Sequence, residues 1–87
     1  MNPDRLANVP LARTAENTFG IFSLLQGDEN SPEDRIAAIV CAAYLVARRY
    51  GVNPLSLHQL ANNIVNGADG KQVPEFAGAA RYLREEM

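Results

Sequence analysis

Apolar residues recur along this chain at three- and four-residue intervals, and no stretch alternates as a strand does. The pattern predicts four helices, at about 11–26, 32–50, 54–66 and 74–86. In the first, Leu11, Ala15, Phe19, Phe22 and Leu25 share one face, and Ile21 and Leu24 widen it toward the C-terminal end. Gly20 lies inside this helix and costs about 1 kcal/mol relative to alanine. Close approach of a neighbouring helix is the expected reason. Gly27 stands where a helix C-terminus commonly takes a glycine.

The second helix has the clearest start. Ser31 suits the N-cap, Pro32 the first helical position, and Asp34 stands in for the glutamate of a capping box. The twelve residues 36–47 carry no charge, so the helix is apolar all round and is expected at the centre of the fold. Its alanines would let neighbours approach closely. Arg48 and Arg49 bring positive charge to the C-terminal end, where the helix dipole favours it. Gly51 and Val52 fit a Schellman ending. Asn53 and Pro54 then start the third helix, with Val52 and Leu57 as a hydrophobic staple. Leu57, Leu60, Ala61 and Ile64 form its inward stripe. Asn-Gly and Asp-Gly pairs mark a loop over 66–73. In the last helix Phe76, Ala80, Leu83 and Met87 are expected inside, and Gly78 and Ala79 allow close packing. Residues 1–10, interrupted by Pro3 and Pro10, read as an irregular segment.

The reading is all-α: a compact single-domain bundle of about four helices over 11–87, joined by short connections. At 87 residues and 9.5 kDa, surface scaling gives a folded area of about 5,000 Å² and one modest core. A deep substrate pocket has little room. The twelve uncharged residues span roughly 18 Å as a helix, short of the ~30 Å hydrocarbon core of a membrane, so no membrane partner is expected. The N-terminal residues lack a basic stretch leading into an apolar run, which speaks against a signal peptide. A single cysteine, Cys41, excludes an internal disulfide and fits a reducing, cytoplasmic setting. Seven of the eight basic residues are arginine and alanine is abundant, a bias associated with bacterial or phage origin.

Catalytic chemistry finds little support. Cys41 lies in the apolar helix with no basic neighbour within a turn, so it is expected buried and inert. His58 is the single histidine and has no carboxylate three or four residues away, which makes it a surface residue. A Cys/His zinc site cannot be assembled. Aligning the 66–71 loop as a calcium loop on Gly70 puts Val65 at the first ligand and no glutamate at the last. No enzyme activity, metal or cofactor is therefore expected. Asp28, Glu29, Glu33 and Asp34 form the densest charge cluster. It complements a helix N-terminus, and it is also the candidate patch for a basic protein partner.

The sharpest local pattern runs over 43–62. Val46, Ala47, Tyr50, Gly51, Val52, Leu57 and Leu60 fall where a helix-turn-helix wants apolar, alanine and glycine positions. The segment resembles the helix-turn-helix of Lac-repressor-type regulators. The resemblance implies DNA binding as a dimer, with Ser56, His58, Gln59 and Asn62 toward bases and Arg48 and Arg49 toward phosphates. Opposing it are a net charge of −2 and the lack of arginine or lysine between Pro54 and Asn66. The leading expectation is a non-enzymatic helical protein that binds a protein partner as regulator, adaptor or inhibitor of a larger assembly. DNA binding is the alternative, and a structural homo-oligomer, in its simplest form a homodimer, the second one.

Overall fold

Four of the five prolines open a helical segment, because proline lacks the N–H that a first turn leaves unpaired. The computed structural model describes residues 2–27, 30–67 and 70–86. Its elements are α1 (Pro3–Ala7), α2 (Leu11–Leu25), α3 (Pro32–Arg49), a 3₁₀ turn (Pro54–Ser56), α4 (Leu57–Asn66) and α5 (Pro74–Glu86), with no strand among the described residues. The fold is all-α.

The expectation of an irregular N-terminal segment is corrected by α1. Asn2 caps it, its Oδ1 accepting from the Asp4 amide at 2.9 Å. Asn8 closes the other end, with Nδ2 donating to the Asp4 carbonyl at 2.8 Å. The expected third helix is also divided. Its first turn is 3₁₀, with Asn53 Oδ1 accepting from the Leu55 amide. The tighter winding lets Val52 and Leu57 line one hollow together with Leu6 of α1.

The core is small. Ala15 and Phe22 of α2 meet Phe76 and Ala79 of α5, and Phe19, Ile64, Val65 and Tyr82 pack around them. Phe19, Phe22 and Tyr82 form a ring cluster with centroids 5.4–6.3 Å apart. The Tyr82 hydroxyl donates to Gln26 Oε1 at 2.7 Å, which satisfies the polar tip of a half-buried ring. The inward face of α5 thus differs from the expected one. Ala79 and Tyr82 turn in, while Leu83 is exposed, because aromatic packing against α2 sets the helix rotation. Met87 lies outside the described residues.

Helices α2 and α5 run in the same direction. Leu11 and Val73, at their starts, line one hollow; Gln26 Nε2 reaches the Glu86 carbonyl at their ends. Two parallel helices cannot be joined by a short turn. The chain must travel back, and α3 and α4 supply the crossover.

That topology overturns the largest expectation. Helix α3 is not central. It packs chiefly on the 3₁₀ turn, and Ala47 is its one buried residue. Ile36, Val40, Leu45 and Val46 are each more than half exposed. The chain exposes 6696 Å², about 1,700 Å² above the ~5,000 Å² that a packed chain of this mass leaves in water. Its radius of gyration, 13.5 Å, exceeds the ~12 Å of a tightly packed domain.

Two glycine expectations also change. A methyl group built on Gly20 or Gly78 meets nothing within 4 Å, so no close helix contact explains either residue. Gly20→Ala should therefore stabilise the chain by about 0.5–1 kcal/mol. Thermal unfolding of the variant tests this, and a loss of stability would mean that a neighbour does approach. Gly27 does not take the left-handed conformation expected at a helix end. Asn30 closes the turn instead, its Nδ2 donating to the Leu25 carbonyl.

Candidate functional site

Helix α3 is held in place at both ends by its own sequence. At the start, Ser31 Oγ accepts from the Asp34 amide at 3.2 Å, and the Asp34 carboxylate accepts from the Ser31 hydroxyl and amide. These hydrogen bonds, the side-chain one first, lower the Asp34 pKa below its ordinary 3.8. The stabilisation is complete above the unfolded value and is lost as pH falls through the depressed folded value. Ser31→Ala should cost about 1 kcal/mol at neutral pH. Its deficit against the parent should narrow once pH drops below 3.8, as paired thermal melts would show; a pH-independent deficit would mean that the carboxylate plays no part.

At the other end, the Val52 amide donates to the Ala47 carbonyl at 2.8 Å and the Gly51 amide to Arg48 at 3.3 Å. These are the two bonds of a Schellman ending, and Gly51 takes φ +75° to make them.

Between these ends the helix has two faces. Ala43, Val46, Ala47 and Tyr50 turn toward Leu6, Leu57 and Leu60. Val40, Cys41, Tyr44 and Leu45 line a shallow depression of about 460 Å³ on the other side, all from α3 itself. Cys41, expected buried, is exposed there. At 100° per residue Glu33, Ala37 and Arg48 fall on this same outward face. A second apolar groove, about 450 Å³, separates α3 from α2 and is lined by Ile21, Leu24, Ile39 and Ala42 among others.

The outward face is polarised. Glu33 and Asp34 lie exposed at its N-terminal end and Arg48 and Arg49 at its C-terminal end. Fifteen positions separate Glu33 from Arg48, about 22 Å along the axis. Arg48 lies over the Tyr44 ring at 5.7 Å and reaches its hydroxyl at 3.4 Å; Arg49 lies over Tyr50 at 5.4 Å.

The residues singled out from sequence do not form one site. Asp28 and Glu29 lie outside the described residues. Glu33 and Asp34 belong to the first turn of α3, with Asp34 engaged in the cap. Ser56, His58, Gln59 and Asn62 are exposed on the 3₁₀ turn and α4. Gln59 donates to Asn63 at 2.9 Å and Asn66 to Asn62 at 2.8 Å, so those amides are occupied along the helix. The residues that sequence reasoning missed are Val40, Tyr44 and Leu45. Their signal was present: a helix apolar on every side, in a chain too small to surround it.

Among the described residues no cluster of three or more His, Cys, Asp or Glu could hold a metal ion, and no helix is long and apolar enough to cross a membrane. No family model matches this chain, and neither the curated proteins nor the solved structures offer a match.

Proposed function

We propose that this chain is a non-enzymatic helical protein that acts by binding another protein through the outward face of α3. The observation that carries the reading is the exposed apolar stretch around Val40, Tyr44 and Leu45. Monomeric proteins seldom leave large contiguous apolar surface in water, and such surface marks a binding site. Covering an aromatic and branched aliphatic cluster rimmed by Glu33 and Arg48 has the anatomy of a protein interface, with an apolar centre and a charged edge. A regulator, adaptor or inhibitor of a larger assembly is the working form of this reading.

A photo-crosslinking side chain at Leu45, in the cell that makes the protein, tests it. A discrete protein adduct from position 45 is expected, lost when Val40→Glu is added. Position 16, on exposed α2 surface, is the control. Equal labelling from both positions would overturn the reading.

The same reading predicts no grip on DNA. Helix α4 carries no arginine or lysine, and the net charge is −2. Fluorescence anisotropy with mixed-sequence duplex at low salt should show no binding at tens of micromolar, where non-specific DNA binders with Kd of about 10⁻⁴–10⁻⁶ M at physiological salt would bind. Salt-sensitive binding that weakens on Arg48→Ala would favour the helix-turn-helix resemblance instead.

A further inference from the structure

We infer that the protein seated on α3 is a second copy of this chain, paired antiparallel through the same face; this rests on the protein-binding reading above. Two independent observations carry it. The first is area. The chain exposes about 1,700 Å² beyond what its mass predicts. Obligate homodimers bury upward of about 2,000 Å² in total, or 1,000 Å² from each partner. The surplus belongs to the whole chain, and the exposed Val40, Tyr44 and Leu45 place part of it on this face of α3.

The second is charge complementarity of the helix with itself. A two-fold axis crossing α3 between Val40 and Cys41 reverses the helix onto its copy. Each Glu33 then lies opposite the other copy's Arg48, at both ends of the interface. In the middle, small Ala37 opposes large Tyr44, and the two Cys41 side chains come side by side. A closed two-fold contact uses one patch on both subunits, and this patch satisfies that condition. A parallel arrangement would instead set Glu33 against Glu33 and Arg48 against Arg48.

The experiment is sedimentation equilibrium of the purified full chain, with far-UV circular dichroism as the check on folding. The expected mass is twice the 9.5 kDa of one chain. Glu33→Arg and Arg48→Glu should each weaken the dimer by about tenfold or more, since each puts two like-charged pairs in contact. Mixing the two variants restores opposite charges at both ends and should recover the dimer. Mild oxidation with diamide at low micromolar protein should join the parent rapidly through Cys41, and a Cys41→Ser, Glu16→Cys control slowly.

A dimer indifferent to both charge reversals would overturn the antiparallel pairing. A monomer at concentrations on the order of 100 μM, where even a weak pair of about −5 to −6 kcal/mol is populated, would overturn the second copy as occupant. If the chain is monomeric but position 45 still gives a heavier adduct in cells, α3 binds a foreign protein and the broader reading stands. If neither occurs, both fail.

Discussion

Phe22→Ala should cost about 3–5 kcal/mol of folding free energy, the largest effect expected of any single truncation in this chain. Phe22 is buried, stacks on Tyr82 at 6.3 Å and meets Phe19 edge-on at 5.9 Å. The buried set is so small that no neighbour can fill the space it leaves. A domain of this length has a total stability of about 4–13 kcal/mol, so the variant should lose a third or more of a typical value. Urea unfolding at a fixed protein concentration reads the loss. Leu45→Ala is the contrast. It removes a comparably large apolar group from an exposed position, and the protomer's own stability should change by no more than about 0.5 kcal/mol. A loss of several kcal/mol at position 45 under dilute conditions would mean that α3 belongs to the protomer's core after all.

Gly51→Val should be the costliest change outside that core, by about 1–3 kcal/mol. The reason is conformational and not steric crowding by neighbours. Gly51 has φ +75°, a region that a β-branched residue avoids, yet a Cβ there would meet nothing within 4 Å. The penalty therefore falls on the backbone turn alone. Both Schellman bonds would weaken, and with them the angle at which α3 leaves the 3₁₀ turn. The readout is a lower unfolding midpoint together with faster amide exchange at Gly51 and Val52. Unchanged exchange there would separate the penalty from the Schellman ending.

The local grammar of the chain was legible because it is written in backbone chemistry. Ser31 with Pro32 and Asp34, Gly51 with Val52, and Asn53 with Pro54 each act within a few residues and need no knowledge of the fold. Asn2-Pro3 has the same grammar as Asn53-Pro54, but with Pro3 and Pro10 only seven positions apart both prolines read as interruptions. Tertiary placement was not legible in this way. An all-round apolar helix is the mark of a buried helix only when the chain can surround it. The parallel course of α2 and α5 assigns α3 to the return path, where Val40, Tyr44 and Leu45 stay exposed. The decisive pairing, α2 with α5, joins elements far apart in sequence, which no local spacing records. The open apolar surface was not legible for the same reason: charges and amides stand out in the sequence, while the exposure of Val40, Tyr44 and Leu45 is set by the fold.

The pairing of α2 with α5 also dictates what happens while the chain is being made. Tyr82 and its hydrogen-bond partner Gln26 are 56 positions apart. Closing so long a loop costs about 1.5 kcal/mol more than closing one of ten residues. Phe76 and Ala79, half of the buried set, are both in α5, which follows every other described element off the ribosome. A nascent chain that has already exposed α2 and α3 therefore has Ile36 and Leu45 in water, and Phe22 has Phe19 beside it but not Phe76, Ala79 or Tyr82 of α5. Until α5 arrives, the core has only the α2 half of its buried set.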